Sequence, residues 1–150
     1  MARVFRTMLA DGHRPRVGDG DDMLGVRSGI DVKPDKAGNV APGKGMSVGR
    51  AWHELPLMKI PRRLEDKMPN GFPIPRGSNE PCIWQMGDGP FVDGDLENGL
   101  RLRVTPTKPK HAQIEPGVVM PLVELQKRLA GTLDAWRLID EDPDCPAKTP

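Results

Sequence analysis

The sequence predicts an α+β domain of several short strands, long connections between them, and one amphipathic helix near the C-terminus. Three observations predict it. Short apolar or alternating runs recur at residues 4–8, 83–86, 100–104 and 112–115. Only residues 121–137 carry apolar side chains at helical spacing. The chain also holds 17 glycines and 17 prolines among 150 residues, nearly twice the ordinary ~12%. That density of punctuation excludes a helical bundle, a coiled coil and a regular solenoid. An apolar content of 37% is normal once glycine is added, so a real core is expected. The length suits a single domain over residues 1–150.

The elements follow in chain order. Arg3-Val4-Phe5-Arg6-Thr7-Met8-Leu9 is rich in strand formers and ends at the turn signal Asp11-Gly12. Residues 12–46 read as connections, with a short strand at Met23–Arg27 and a turn over Asp35–Val40 that closes an irregular hairpin. Pro42–Val48 leads as a loop into a strand or a turn of helix at Arg50–Leu55. Pro69, Pro73, Pro75 and Pro81 make residues 65–81 a surface loop. Ile83–Met86 is a strand stopped by Gly87-Asp88-Gly89-Pro90. Leu100, Leu102 and Val104 share one face of the next strand, and Ala112–Glu115 forms another that stops at Pro116-Gly117. After Pro121, Leu122, Leu125, Leu129, Leu133 and Trp136 line one face of the predicted helix.

Charge and cysteine usage narrow the function classes. Twenty-two basic and 21 acidic residues leave a net charge of +1, so no bulk electrostatic footprint for nucleic acid or membrane exists. The two cysteines, Cys82 and Cys145, stand far apart, and small secreted scaffolds carry four or more, so no bridge is expected. The N-terminal residues have no apolar stretch of signal-peptide length, and no segment is apolar enough to span a bilayer. The expected location is cytoplasmic, with any export by a route that needs no cleavable leader.

Common catalytic motifs fail on order or spacing. Pro42-Gly43-Lys44-Gly45-Met46-Ser47 lacks the order of a phosphate-binding loop. His13, His53 and His111 are too dispersed for a metal site, and no serine or cysteine nucleophile motif occurs. Three candidates remain, each with a bland alternative. Arg6 either sits on a solvated strand face or turns its five-donor fork into a cleft, where it suits a diphosphate or carboxylate. Ser47 either satisfies a turn or meets a ligand after its two glycines. His111, Gln113 and Glu115 share one strand face, which is either an exposed polar edge or a site wall.

In their order along the chain, Phe5-Arg6, then Gly45-Met46-Ser47-Val48, then His111 with Ile114 and Pro116, then Met120 and a closing helix with Trp136, form a pattern. That pattern resembles a group of small bacterial toxins delivered by type VI secretion, whose fold is like that of ADP-ribosyltransferase toxins. The resemblance spans roughly the first seven residues, 38–50 and 111–136. It implies a split β-sheet cleft that takes NAD as substrate, with Arg6, Ser47 and His111 as NAD-binding residues. Glu115 is the positional candidate for the catalytic glutamate. The implied protein is an antibacterial toxin with an intracellular target and a cognate immunity protein, and no membrane or metal is called for. Breaking the nicotinamide–ribose bond builds oxocarbenium character, which a nearby carboxylate stabilises. Two rivals stand beside this reading. One keeps the cleft but consumes NAD by hydrolysis or phosphorolysis. The other is an inert protein-binding domain, an immunity or adaptor protein that meets its partner through residues 65–81.

Overall fold

The computed structural model describes residues 1–148. Seven strands form its main sheet: β1 (Val4–Met8), β2 (Met46–Gly49), β3 (Cys82–Met86), β4 (Gly94–Asp95), β5 (Leu100–Thr105), β6 (Lys108–Pro116) and β7 (Trp136–Leu138). Their order across the sheet is β7-β3-β1-β2-β6-β5-β4, and every neighbouring pair is antiparallel. One helix, α1 (Leu122–Ala130), packs on it. The remaining regular structure is a set of short 3-10 turns and two-residue strand pairs. The class is α+β, with little helix.

Two apolar layers sandwich the middle of the sheet. Val4, Met8, Trp84, Leu102 and Ile114 face Leu125 and Leu129 of α1 and the loops around it. On the opposite face, Phe5 and Ile83 pack beneath Leu55, Ile60 and Leu64 from the 3-10 turns of residues 52–67. Covered from both sides, β1 is buried at all five positions, Arg6 and Thr7 included.

The closing helix is shorter than its apolar spacing suggested. It stops at Ala130, and Gly131 and Thr132 turn the chain. Thr132 Oγ1 donates to the carbonyl of Leu129 at 2.7 Å and accepts from Trp136 Nε1 at 3.0 Å. Leu133 falls in a 3-10 turn and Trp136 in edge strand β7, opposite Met86. Residues two turns apart on a helix keep nearly the same direction in a turn-plus-strand, so the spacing alone did not distinguish them. Other expectations shift as well. Met23–Arg27 contributes one isolated bridge, Leu24 to Val17, rather than a strand. The Asp35–Val40 turn leads to a pairing with Met120–Pro121 far along the chain, not to a local hairpin.

The cysteines are bridged, contrary to the sequence expectation. Cys82 of β3 joins Cys145 of the C-terminal segment, and both are fully buried. Beside them Asp140 accepts two hydrogen bonds from Arg63, at 2.7 and 2.6 Å, and one from the backbone amide of Ile83. In the sequence Arg63 is the second residue of a basic doublet, Arg62-Arg63. In the fold Arg63 ties the 3-10 turns to the chain terminus. Asp140 and the two sulfurs lie within 4.8 Å of one another. With the sulfurs bonded to each other and the carboxylate facing a guanidinium, the cluster is a structural clasp.

Candidate functional site

The site begins where two strands part. β1 and β3 pair along their whole length, from Val4–Met86 to Met8–Cys82. β1 and β2 pair at Phe5–Gly49. β2 continues instead along β6, with Ser47 opposite Gln113 and Gly49 opposite His111. Arg6 fills the resulting gap. Its Nη1 donates to the carbonyl of Ser47 at 2.7 Å, and its Nε and Nη2 donate to Met23 and Asp21 carbonyls at 2.9–3.2 Å. The guanidinium therefore bolts β1 to β2 and to the glycine-bearing loop of residues 18–25.

The glycines before Ser47 make this approach possible. Gly43 has φ of 117°, a region that side chains strain to reach. A Cβ on Gly45 would collide with the carbonyl of Ile114 on β6. Gly43 turns the chain and Gly45 brings the entry to β2 hard against β6, which fixes Ser47 beside Arg6.

Arg6 is only 7% exposed, and all its hydrogen-bond acceptors are neutral carbonyls. Burying an ion costs several kcal/mol even after relaxation. Burial accordingly pushes the Arg6 pKa down to about 10, with the negative charge of Asp31 opposing the change. The guanidinium remains charged at neutral pH, a cation held by dipoles without a bonded carboxylate.

A cavity of about 200 Å³ opens over it, lined by Arg6, Thr7, Arg27, Ser47, Lys59 and His111, with Asp21 at its rim. Burial and the nearby charge of Arg6 lower the Lys59 pKa. His111 Nδ1 lies 2.7 Å from Thr105 Oγ1. Burial, followed by the charge of Lys108, moves the His111 pKa below its ordinary value. The Thr7 hydroxyl, on a residue only 6% exposed, has no hydrogen-bond partner. A second hollow of about 370 Å³ shares Val48, Leu55, Pro56 and His111 with the first and runs out to Lys108 and Lys110. Together they form a groove with a cationic end and a mainly apolar end.

Three sequence candidates thus meet: Arg6, Ser47 and His111 line one cavity. Glu115 does not line it. Its carboxylate is fully buried, accepting from the Gly43 amide at 2.6 Å and from Arg103 Nε at 2.9 Å, with Arg101 at 3.8 Å. His111, Gln113 and Glu115 do share the face opposite the core residues Ala112 and Ile114. Strand rise alone puts some 13 Å between the first and last of them. Sequence reasoning missed Thr7, Arg27 and Lys59. Arg27 sits in a stretch without periodicity, and Lys59 is aimed by a 3-10 turn between Pro56 and Pro61. That proline bracket was the available signal.

A larger cavity, about 470 Å³, lies elsewhere, between Phe5, Trp52, Leu64 and Ile139. It contains none of the sequence candidates. Of the two carboxylates that line it, the buried one, Asp140, is already committed to Arg63, and the other, Glu141, is exposed. The smaller cavity has the stronger chemical character because its buried cation lacks a carboxylate partner.

Compared with known proteins, the chain matches no family model, no curated protein and no solved structure. Among the described residues, no helix is long and apolar enough to cross a membrane. Function is therefore argued from the site itself.

Proposed function

We propose that the groove binds NAD and that the protein is an ADP-ribosyltransferase-like toxin, acting on an intracellular target and restrained by a cognate immunity protein. One observation carries this reading: Arg6, Ser47 and His111 converge on a cationic cavity at the point where β1 and β2 separate. A buried guanidinium with carbonyl partners retains affinity for an anion, and a diphosphate supplies one. The adjoining apolar hollow suits a flat aromatic base. Splayed neighbouring strands with an arginine in the gap support the split-sheet architecture that the resemblance implies.

In this reading Arg6 and Ser47 order the cleft, and His111 closes its far wall. Glu115 reaches a developing oxocarbenium only if its contacts with Arg103 and Gly43 open. Glu115→Gln tests this role directly. A catalytic carboxylate predicts a loss of NAD turnover of at least ~100-fold with NAD affinity retained. A variant that keeps its turnover confines Glu115 to holding the Gly43 loop.

The function is tested by titrating NAD calorimetrically into the wild type, Ser47→Ala and Arg6→Lys, beside growth of a bacterial host expressing each. Binding and growth arrest by the wild type, weakened in both variants, support the reading. Absence of NAD binding by a folded wild type overturns it. NAD loss measured without an acceptor separates hydrolysis from transfer.

A further inference from the structure

The cation pair above Arg6 is already bridged by a carboxylate. One oxygen of Asp21 lies 3.3 Å from Arg27 Nη2, and the other is ion-paired with Lys59 Nζ. A phosphoryl group binds two cations in the same way, one through each of two oxygens. We infer that Arg27 and Lys59 form an anion subsite for a phosphate or diphosphate group, and that the Asp21 side chain fills it as an internal competitor. The inference rests on the proposed nucleotide cleft and adds to it a second set of anion contacts and a residue that opposes binding.

Three features support this assignment. The first is charge. Arg6, Arg27 and Lys59 line the cavity with Asp21 as the only acid among its lining residues. Asp31 backs Arg27 from outside, through bonds of 3.1 Å to Nε and Nη2. Asp31 fixes the direction of the guanidinium and leaves its Nη2 shared with the Asp21 carboxylate, whose other oxygen pairs with Lys59. The second feature is the Thr7 hydroxyl, buried in the cavity wall without a partner. It is a donor placed for an oxygen that Asp21 does not supply.

The third feature is exposure of the right part. The Asp21 carbonyl is fixed by Arg6 Nη2 at 3.0 Å, while its side chain is 46% exposed. A change of side-chain rotamer withdraws the carboxylate while the loop stays bolted to Arg6. Both ion pairs that it gives up are partly solvated, and such pairs are individually weak. A dianionic ligand therefore outcompetes it.

The test uses the full chain. Inorganic pyrophosphate and NAD are each titrated calorimetrically into the wild type, Asp21→Asn and Asp21→Asn/Lys59→Met, with circular dichroism to verify folding. The expected result is a gain of about tenfold in affinity for both probes in Asp21→Asn, lost again when Lys59 is also replaced. Equal affinities of wild type and Asp21→Asn overturn the subsite and leave the nucleotide cleft standing. A gain for NAD with none for pyrophosphate also overturns it, because the competition then does not involve the phosphates. If no folded variant binds either probe, the cleft reading itself fails.

Discussion

His111 illustrates how one side chain serves both site and fold. It lines the cleft, is held by Thr105, and loses basicity chiefly through burial. The unfolded chain therefore takes up a proton before the folded one does. Stability should be full above the ordinary value of 6.5 and decline as pH falls from there towards the lower folded value. Urea unfolding at a series of pH values checks this against His111→Gln, which should lack that part of the decline. Arg63 is a more severe case. Its partner Asp140 has no exposed side-chain surface, so Arg63→Met strands a buried charge. The expected loss is about 3–5 kcal/mol in denaturant unfolding, and a loss below about 1 kcal/mol would show that the pair contributes little. Composition and motif reading could flag Arg6 as a forked donor, but not that it would be bolted to three carbonyls. Two of those acceptors, Asp21 and Met23, come from a loop whose path depends on tertiary contacts, and the third, Ser47, from the neighbouring strand.

At the scale of elements, the strands were the legible part. Leu100 and Leu102 alternate inward as their spacing requires, and residues 82–86 form a strand close to the expected bounds, whereas the strand expected at 112–115 already begins at Lys108 and ends at Pro116. The long connections were legible only as connections. Residues 12–40 contain the loop that seats Arg6 and a pairing partner for Met120–Pro121, yet they show neither period two nor period 3.6. The helix was recognised and its end misplaced, because Gly131 costs only about 1 kcal/mol relative to Ala and does not by itself announce a stop. Depth within α1 gives a clean comparison. Leu129 is fully buried and Val123 is 75% exposed. Leu129→Ala should cost about 2–5 kcal/mol, whereas Val123→Ala should stay within about 0.5 kcal/mol. Comparable losses for both, by thermal unfolding, would contradict the packing of α1 described above.

For the whole molecule, the disulfide is the covalent constraint. It closes a separation of 63 residues between β3 and the terminal segment. The chain-entropy argument assigns such a loop about 4 kcal/mol. Cys145→Ser should lower stability by that order and expose the Asp140–Ala147 region first, seen as faster amide exchange there than in β1. Uniform exchange across the molecule would show that the clasp is not what secures this end. Two distant cysteines gave no sequence signal for the bridge, since pairing depends on where the last residues return. That return is directed by the Arg63–Asp140 contact, itself invisible in sequence.

The sheet's outer margins carry a consequence for recognition. β7 spans three residues at one border and β4 two at the other. Neither border offers enough free backbone for an incoming chain to zip alongside. On the proposed reading, a restraining protein would therefore grip this one by side chains, at the mouth of the groove. An inhibitor built that way would obstruct entry instead of lengthening the ladder.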